Sequence, residues 1–153
     1  MTSLLDELKK LTQSLEADKI EYAICGGLAM AIHGFVRATV DIDLLILSES
    51  LDDAWKIAKN LGYDIEGLPL DFHEDRVKIR RLSKVDNEHK SLLTIDFLLV
   101  TDALKDVWAN RQLIEWEEDK TWVVSREGLI VLKTISGRSQ DLVDIERLEN
   151  EAS

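Results

Sequence analysis

Leu4, Leu8, Leu11 and Leu15 follow one another at intervals of four, three and four, the spacing that stacks side chains on one face of an α-helix. A first helix is therefore predicted to end near Asp18, its leucine stripe turned to a core. Positions 20–25 read as a short apolar strand. Gly26 and Gly27 then lead into the alanine-rich stretch 28–33, a short helix with little side-chain bulk. Positions 40–47 are apolar except for Asp41 and Asp43, too short for most helices and the right length for a strand. Ser50 is expected to cap a helix through Leu61, with Asp52 and Asp53 in its first turn and Gly62 closing it. Three strands follow at 63–65, 77–82 and 91–100, with 67–75 a loop and 83–90 a hairpin connection. Thr101 or Asp102 opens a helix over 103–110. A hairpin of 113–116 with 121–124 turns at 118–120, and Ser125 and Ser139 begin two C-terminal helices.

Helices flank a sheet whose later strands are antiparallel neighbours, so the expected fold class is α+β (mixed α/β), a mixed sheet with helices, rather than a regular doubly wound fold. The 153 residues suit a single domain, 1–153. Within it, 1–19 form the N-terminal helix, 20–124 the sheet core and 125–150 the C-terminal helices. Apolar residues at 45% and charged residues at 32% exclude collagen-like and wholly disordered chains. Thirty acidic against nineteen basic residues give a net charge of −11, opposite to the footprint of an autonomous nucleic-acid binder. One cysteine, no apolar run near the ~20 residues of a membrane span and no signal-like N-terminus predict a cytoplasmic protein with no membrane partner.

The carboxylates are the anomaly. Strand side chains alternate faces, so Asp41 and Asp43 project together, roughly 6.5–7 Å apart, while Val40, Ile42, Leu44 and Ile46 take the core face. Asp96 repeats the situation in a second apolar strand, where Leu93, Ile95, Phe97 and Leu99 face the core. If the two strands are neighbours, three carboxylates converge, and ionised carboxylates brought together repel unless something cationic compensates. Divalent metal, Mg²⁺ or Mn²⁺, is the simplest compensator. Gly26-Gly27 can supply close backbone approach to a phosphate, although two glycines after a strand are also an ordinary turn. No P-loop and no GxGxxG pattern is present.

The order of these parts, Cys25-Gly26-Gly27-Leu28, a short helix, then Arg37-Ala38-Thr39-Val40-Asp41-Ile42-Asp43, resembles the nucleotidyltransferase superfamily related to DNA polymerase β. Arg-x-Thr-x-Asp-x-Asp and the later Gly137-Arg138-x-x-Asp141-Leu142-x-Asp144-Ile145 are similar to the minimal nucleotidyltransferases of the AbiEii toxin type. The resemblance implies a nucleotidyltransferase fold. It implies catalytic and metal-binding roles for Asp41, Asp43 and Asp96, with Asp96 acting towards the acceptor hydroxyl, and phosphate contact at Gly26 and Gly27. Lys133, in an otherwise apolar helix segment, either snorkels to solvent or directs a cation at the triphosphate, and the resemblance favours the latter. Arg37, Thr39 and Arg138 complete the candidate nucleotide-binding set, Thr39 sharing the face of Asp41 if the strand begins there. Arg138, Asp141 and Asp144 can equally form surface pairs. A nucleoside triphosphate is the expected ligand, and a partner protein of toxin–antitoxin kind the expected macromolecular partner. Nucleic acid stays open only through the basic patch Lys78, Arg80 and Arg81.

The other chemistry-bearing residues point to bland roles. Asp71, His73, Glu74 and Asp75 match no zinc spacing, and His33 and His89 stand apart. Cys25 reads as a small buried hydrophobe, and Trp108, Trp116 and Trp122 as core or interface residues.

Overall fold

The leucine stripe of the N-terminal segment forms α1 (Leu4–Ala17), burying Leu8, Leu11 and Leu15. The structure, a computed structural model, describes residues 4–35, 39, 41–88 and 90–150. Val40, Arg37 and His89, singled out above, lie outside the described residues. After α1 come β1 (Ala23–Cys25), α2 (Gly26–Ile32), β2 (Asp41–Ile46), α3 (Leu51–Asn60), β3 (Ile65–Glu66), β4 (Leu70–Phe72), β5 (Val77–Asp86) and β6 (Ser91–Leu99). The chain continues with α4 (Lys105–Ala109), β7 (Gln112–Trp116), β8 (Asp119–Val123), α5 (Arg126–Ser136) and α6 (Ser139–Asn150).

Among the described residues the strands join one mixed sheet in the order β3-β5-β6-β2-β1-β8-β7, with β4 also paired to β5. β2 runs parallel to β6 and β1 parallel to β8, while β1–β2, β5–β6 and β7–β8 are antiparallel. The alternation of β2 and β6 sorts the sheet faces. Ile42, Leu44, Ile46, Ile95, Phe97 and Leu99 are buried on one side, and the aspartates lie on the other. α1 belongs to the apolar side. Lys84, three residues from Arg81 and so on the opposite face of β5, places its Nζ 2.6 Å from Glu7 of α1, and the Tyr63 hydroxyl donates to the same carboxylate at 2.7 Å. Burial alone would raise the Glu7 carboxyl, but the bonds from Lys84 and Tyr63 outweigh it and hold the group below its ordinary range.

Several elements differ from the sequence reading for identifiable reasons. β5 continues to Asp86 because Ser83 and Lys84 find partners: the Ser83 and Thr94 hydroxyls lie 3.0 Å apart, and Lys84 reaches α1. The hairpin connection is therefore confined to residues 87–90. The expected loop at 67–75 contains β4, held on the sheet edge by Arg80 donating to Asp71 at 2.7 Å and turned back through His73, Glu74 and Asp75, all at positive φ. The β7–β8 turn is two residues, Glu117 and Glu118, both at positive φ, the geometry of a type I′ hairpin turn. It therefore starts one residue earlier than 118–120. Ser50 is not a cap: it lies in a 3₁₀ turn, Ser48–Ser50, and makes no side-chain cap bond to α3.

Ser125 does cap its helix, its Oγ accepting from the Gly128 amide at 3.0 Å, and Gly137 ends α5 in the left-handed region at φ 65°. Ser125→Ala is expected to lower the free energy of unfolding by about 1 kcal/mol. Ser50→Ala should change it by less than about 0.5 kcal/mol. Urea denaturation of the two variants measures both, and equal losses would contradict this assignment of the caps.

Candidate functional site

The pairing of β2 with β6 sets Asp43 directly opposite Asp96, and Asp41 opposite Thr94. Opposed residues in neighbouring strands share a face and lie about 5 Å apart, so Asp41, Asp43 and Asp96 project from one patch of sheet. The row extends both ways. Arg81 of β5 is opposite Asp96, and Cys25 of β1 is opposite Asp43.

Asp96 is 5% exposed, and Arg81 grips it with a two-pronged fork: Nε donates to Oδ1 at 2.7 Å and an Nη to Oδ2 at 2.9 Å. The fork raises the Arg81 guanidinium further above its ordinary range. Asp43 is instead pushed towards its neutral form. Burial first, then the charges of Asp96 and Asp41, raise its carboxyl to about 7, with Arg81 and Lys133 offsetting only part. Asp41 is also raised, by burial and by Asp96. Cys25 is buried and its thiol is driven well up by burial and by Asp43 and Asp96, leaving it inert as a nucleophile.

The two glycines are required by close approach. Gly26 sits at φ 66°, and a Cβ there would overlap the Asp43 carboxylate, lying 2.8 Å from its Cγ. A Cβ at Gly27 would stand 2.8 Å from Thr39 Oγ1. They form the first two positions of α2, which starts over the carboxylates. Thr39 precedes β2 rather than belonging to it, because the strand begins at Asp41, and its hydroxyl donates to the Asp41 carbonyl at 3.4 Å.

Lys133 and Arg138 reach the same cleft from α5 and the α5–α6 junction, but neither stands alone. Lys133 Nζ donates to Asp144 at 2.9 Å and lies 3.7 Å from Asp141. Arg138 donates to Asp141 through its Nε at 2.8 Å and its backbone N–H at 3.2 Å. Asp141 and Asp144 are each 1% exposed, so the surface-pair reading of these two aspartates gives way to a buried charge cluster fastening α6 to α5. Burial would raise Asp141, yet the hydrogen bonds from Arg138 and Ser136 prevail and lower it.

These groups line one cleft of about 420 Å³, polar at Gly26, Gly27, Thr39, Asp41 and Asp43, apolar at Val77, Ile79, Leu98, Leu129 and Leu132. Among the described residues no cluster of three or more His, Cys, Asp or Glu is arranged to hold a metal ion, and Arg81 engages both oxygens of Asp96. Asp41 and Asp43 nevertheless suit a hard divalent cation: they are half-buried oxygen donors whose mutual repulsion such a cation would relieve. Arg81 is the residue the sequence undervalued. In sequence it belongs with Lys78 and Arg80 to a basic patch that leaves nucleic acid open, and only the β5–β6 register reveals its partner. Of the other residues weighed, Asp71, Glu74 and Asp75 are exposed, and Trp108 and Trp122 stack on Arg111, whose Cζ lies 4.0 and 4.9 Å from their rings.

A mixed sheet flanked by helices, with the aspartate strand beside a glycine-started helix, is a nucleotidyltransferase fold. The chain belongs to the family described as nucleotidyltransferase of unknown function (DUF6036), which matches residues 1–150. Among solved structures, the candidate nucleotidyltransferase TM1012 of Thermotoga maritima is similar at 16% identity and a TM-score of 0.64, over 97% of this chain and 93% of that one. ANT(2")-Ia in complex with adenylyl-2"-tobramycin is similar at 16% identity and 0.66, over 96% and 87%. The lincosamide antibiotic adenylyltransferase LnuA, lincomycin-bound, is similar at 18% identity and 0.57, over 95% and 96%. No curated protein matches the chain. Among the described residues no helix is long and apolar enough to cross a membrane.

The raised Asp43 carboxyl links stability to pH. In the unfolded chain the group ionises near ~4, so its contribution is fully present below that pH and is lost as pH rises through about 7. Asp43→Asn removes this loss. The variant is expected to gain on the wild type between pH 4 and 7.5, reaching on the order of 1–3 kcal/mol by urea denaturation in chelator. A pH-independent difference would contradict the crowding of the three carboxylates.

Proposed function

We propose that the chain is an Mg²⁺- or Mn²⁺-dependent nucleotidyltransferase that moves a nucleoside monophosphate from a nucleoside triphosphate to an acceptor hydroxyl. The observation that carries this reading is the parallel register of β2 and β6, which sets Asp43 against Asp96 with Asp41 on the same face. Asp41 and Asp43, with Asp96 as third carboxylate, would hold the cation, which supplies charge neutralisation and Lewis-acid activation of the phosphates. Gly26 and Gly27 leave room for a phosphate beside the carboxylates. Thr39, Lys133 and Arg138 line the nucleotide side of the cleft, the buried Asp141 and Asp144 keeping Lys133 fixed in position, and the motif assigns Arg37 to the same role. Asp96 takes the proton of the acceptor hydroxyl. The acceptor oxygen bonds to the α-phosphorus in line, the bond to the bridging oxygen breaks, and pyrophosphate leaves with the electron pair. The protein's share of the work is positioning and electrostatic stabilisation.

The acceptor belongs to a protein, an RNA or a small molecule. The small-molecule names carried by ANT(2")-Ia and LnuA lend support to the last, and the acidic net charge favours a protein or a small molecule over RNA. The finer reading, an AbiEii-type toxin component working with a partner protein, rests on the Arg37-x-Thr39-x-Asp41-x-Asp43 and Gly137-Arg138-x-x-Asp141 patterns. A partner-binding component with reduced or no catalysis is the second reading. It is favoured by Leu142 and Val143, which α6 leaves 60% and 52% exposed.

Calorimetry with ATP, GTP, CTP and UTP, with and without Mg²⁺, followed by pyrophosphate release with mixed acceptors, tests the first reading. Metal-dependent binding of at least one triphosphate is expected. In the Asp41→Asn/Asp43→Asn variant binding should be lost and turnover should fall by on the order of a hundredfold or more. Binding at millimolar nucleotide that ignores both metal and variant would overturn it.

A further inference from the structure

We propose that Arg81 is a partner-exchanging positioning residue: its guanidinium holds Asp96, and when a triphosphate enters the cleft it turns to phosphate and releases Asp96. The inference rests on the reading of the site as a nucleotidyltransferase centre and deepens it. Three cations line the described cleft, Arg81, Lys133 and Arg138, and they differ in what holds them. Lys133 and Arg138 are tied to Asp141 and Asp144, which lie on α6 and join it to α5: freeing Lys133 weakens the pairing of both buried carboxylates, and freeing Arg138 leaves Asp141 with Lys133 alone, 3.7 Å away. Arg81 alone is paired with a carboxylate of the site itself.

The pair is also unequal. The Arg81 side chain is 43% exposed and that of Asp96 7%, so the arginine is the partner with room to move. Its fork engages both Asp96 oxygens, and Asp96 becomes fully available to a proton or a cation only when the fork opens. Phosphate oxygens offer a guanidinium the same two-point geometry as a carboxylate. Charge favours the exchange. A dication arriving at Asp41 and Asp43 repels the guanidinium beside it, while the triphosphate it accompanies attracts it. Without phosphate, Arg81 offsets part of the repulsion that raises Asp43 and Asp41. The same cation would thus serve two states of one site.

Partner exchange predicts opposite changes in two affinities. Loss of a static positive charge would also tighten Mn²⁺ and weaken tripolyphosphate, so the charge-conserving variant Arg81→Lys, which loses only the fork, distinguishes partner exchange from a static ion pair, which predicts wild-type affinities for it. Calorimetry on the full chain uses Mn²⁺ alone and inorganic tripolyphosphate alone as probes. Arg81→Gln is expected to bind Mn²⁺ at least fivefold more tightly than the wild type, because Asp96 is freed, and to bind tripolyphosphate at least fivefold more weakly. Arg81→Lys, which keeps the charge but not the fork, should lie between on both. Far-UV circular dichroism and the unfolding midpoint confirm that each variant is folded, the lysine variant serving if glutamine does not fold. Unchanged or weaker Mn²⁺ binding in Arg81→Gln, undiminished tripolyphosphate binding there, or wild-type affinities in Arg81→Lys would overturn the proposal. The Asp41→Asn/Asp43→Asn variant separates the two levels. Loss of Mn²⁺ binding there with no response to Arg81 sinks only the exchange, whereas Mn²⁺ binding indifferent to Asp41 and Asp43 sinks the underlying site.

Discussion

Two strands that pair in parallel, β2 and β6, bring like charges together in the middle of an apolar sheet, and much of the molecule around them can be understood as accommodation of that repulsion. The register leaves no slack. Shifting either strand by one residue would turn its aspartates into the core and Ile42, Leu44, Ile95 and Phe97 out of it. Hydrophobic burial on one face thus enforces electrostatic strain on the other. Arg81 relieves part of it at Asp96, and the rest remains as the raised carboxyls of Asp43 and Asp41. Positive charge entering the cleft would relieve that cost.

The elements that cover the site are shaped by the same constraint. α2 can begin over Asp43 only because Gly26 and Gly27 carry no side chain, and both would meet atoms of the site if they did. On the far wall, Asp141 and Asp144 could have added two more negative charges to a cleft already rich in them. Their pairing with Lys133 and Arg138 makes that wall locally balanced, and it places a fixed lysine rather than a flexible one beside the carboxylates. Two charge systems therefore share one cleft. The one on α5 and α6 is closed and structural, whereas the one on the sheet is left open.

Much of this was legible in the chain. The leucine stripe of α1, the aspartates in apolar strands and the glycine pair follow from periodicity and residue type, and together they give the mixed sheet with flanking helices. What failed to show was register. Taking 83–90 as the connection would set Leu82 against Ser91, whereas β5 and β6 pair Asp86 with Ser91, a difference of four residues. The shorter turn puts Arg81 opposite Asp96. Polar residues such as Ser83 and Lys84 looked like loop because their partners, Thr94 and Glu7, are remote in sequence. Asp141 and Asp144 looked like surface for a similar reason, since Lys133 is on another helix. Sequence patterns report local propensity and burial, and long-range charge pairing leaves little trace in them.

The central claim is that Asp41, Asp43 and Asp96 form one cation-receiving centre in this cleft. Amide resonances of the isotope-labelled protein, followed during substoichiometric addition of Mn²⁺, test it most directly, because paramagnetic broadening falls steeply with distance from the ion. The account predicts that broadening starts at Gly26, Gly27, Asp41, Asp43 and Asp96 and that Mg²⁺ in excess reverses it. Broadening centred on other acidic surface, such as Asp71 to Asp75, with the amides of β2 and β6 untouched, would contradict it.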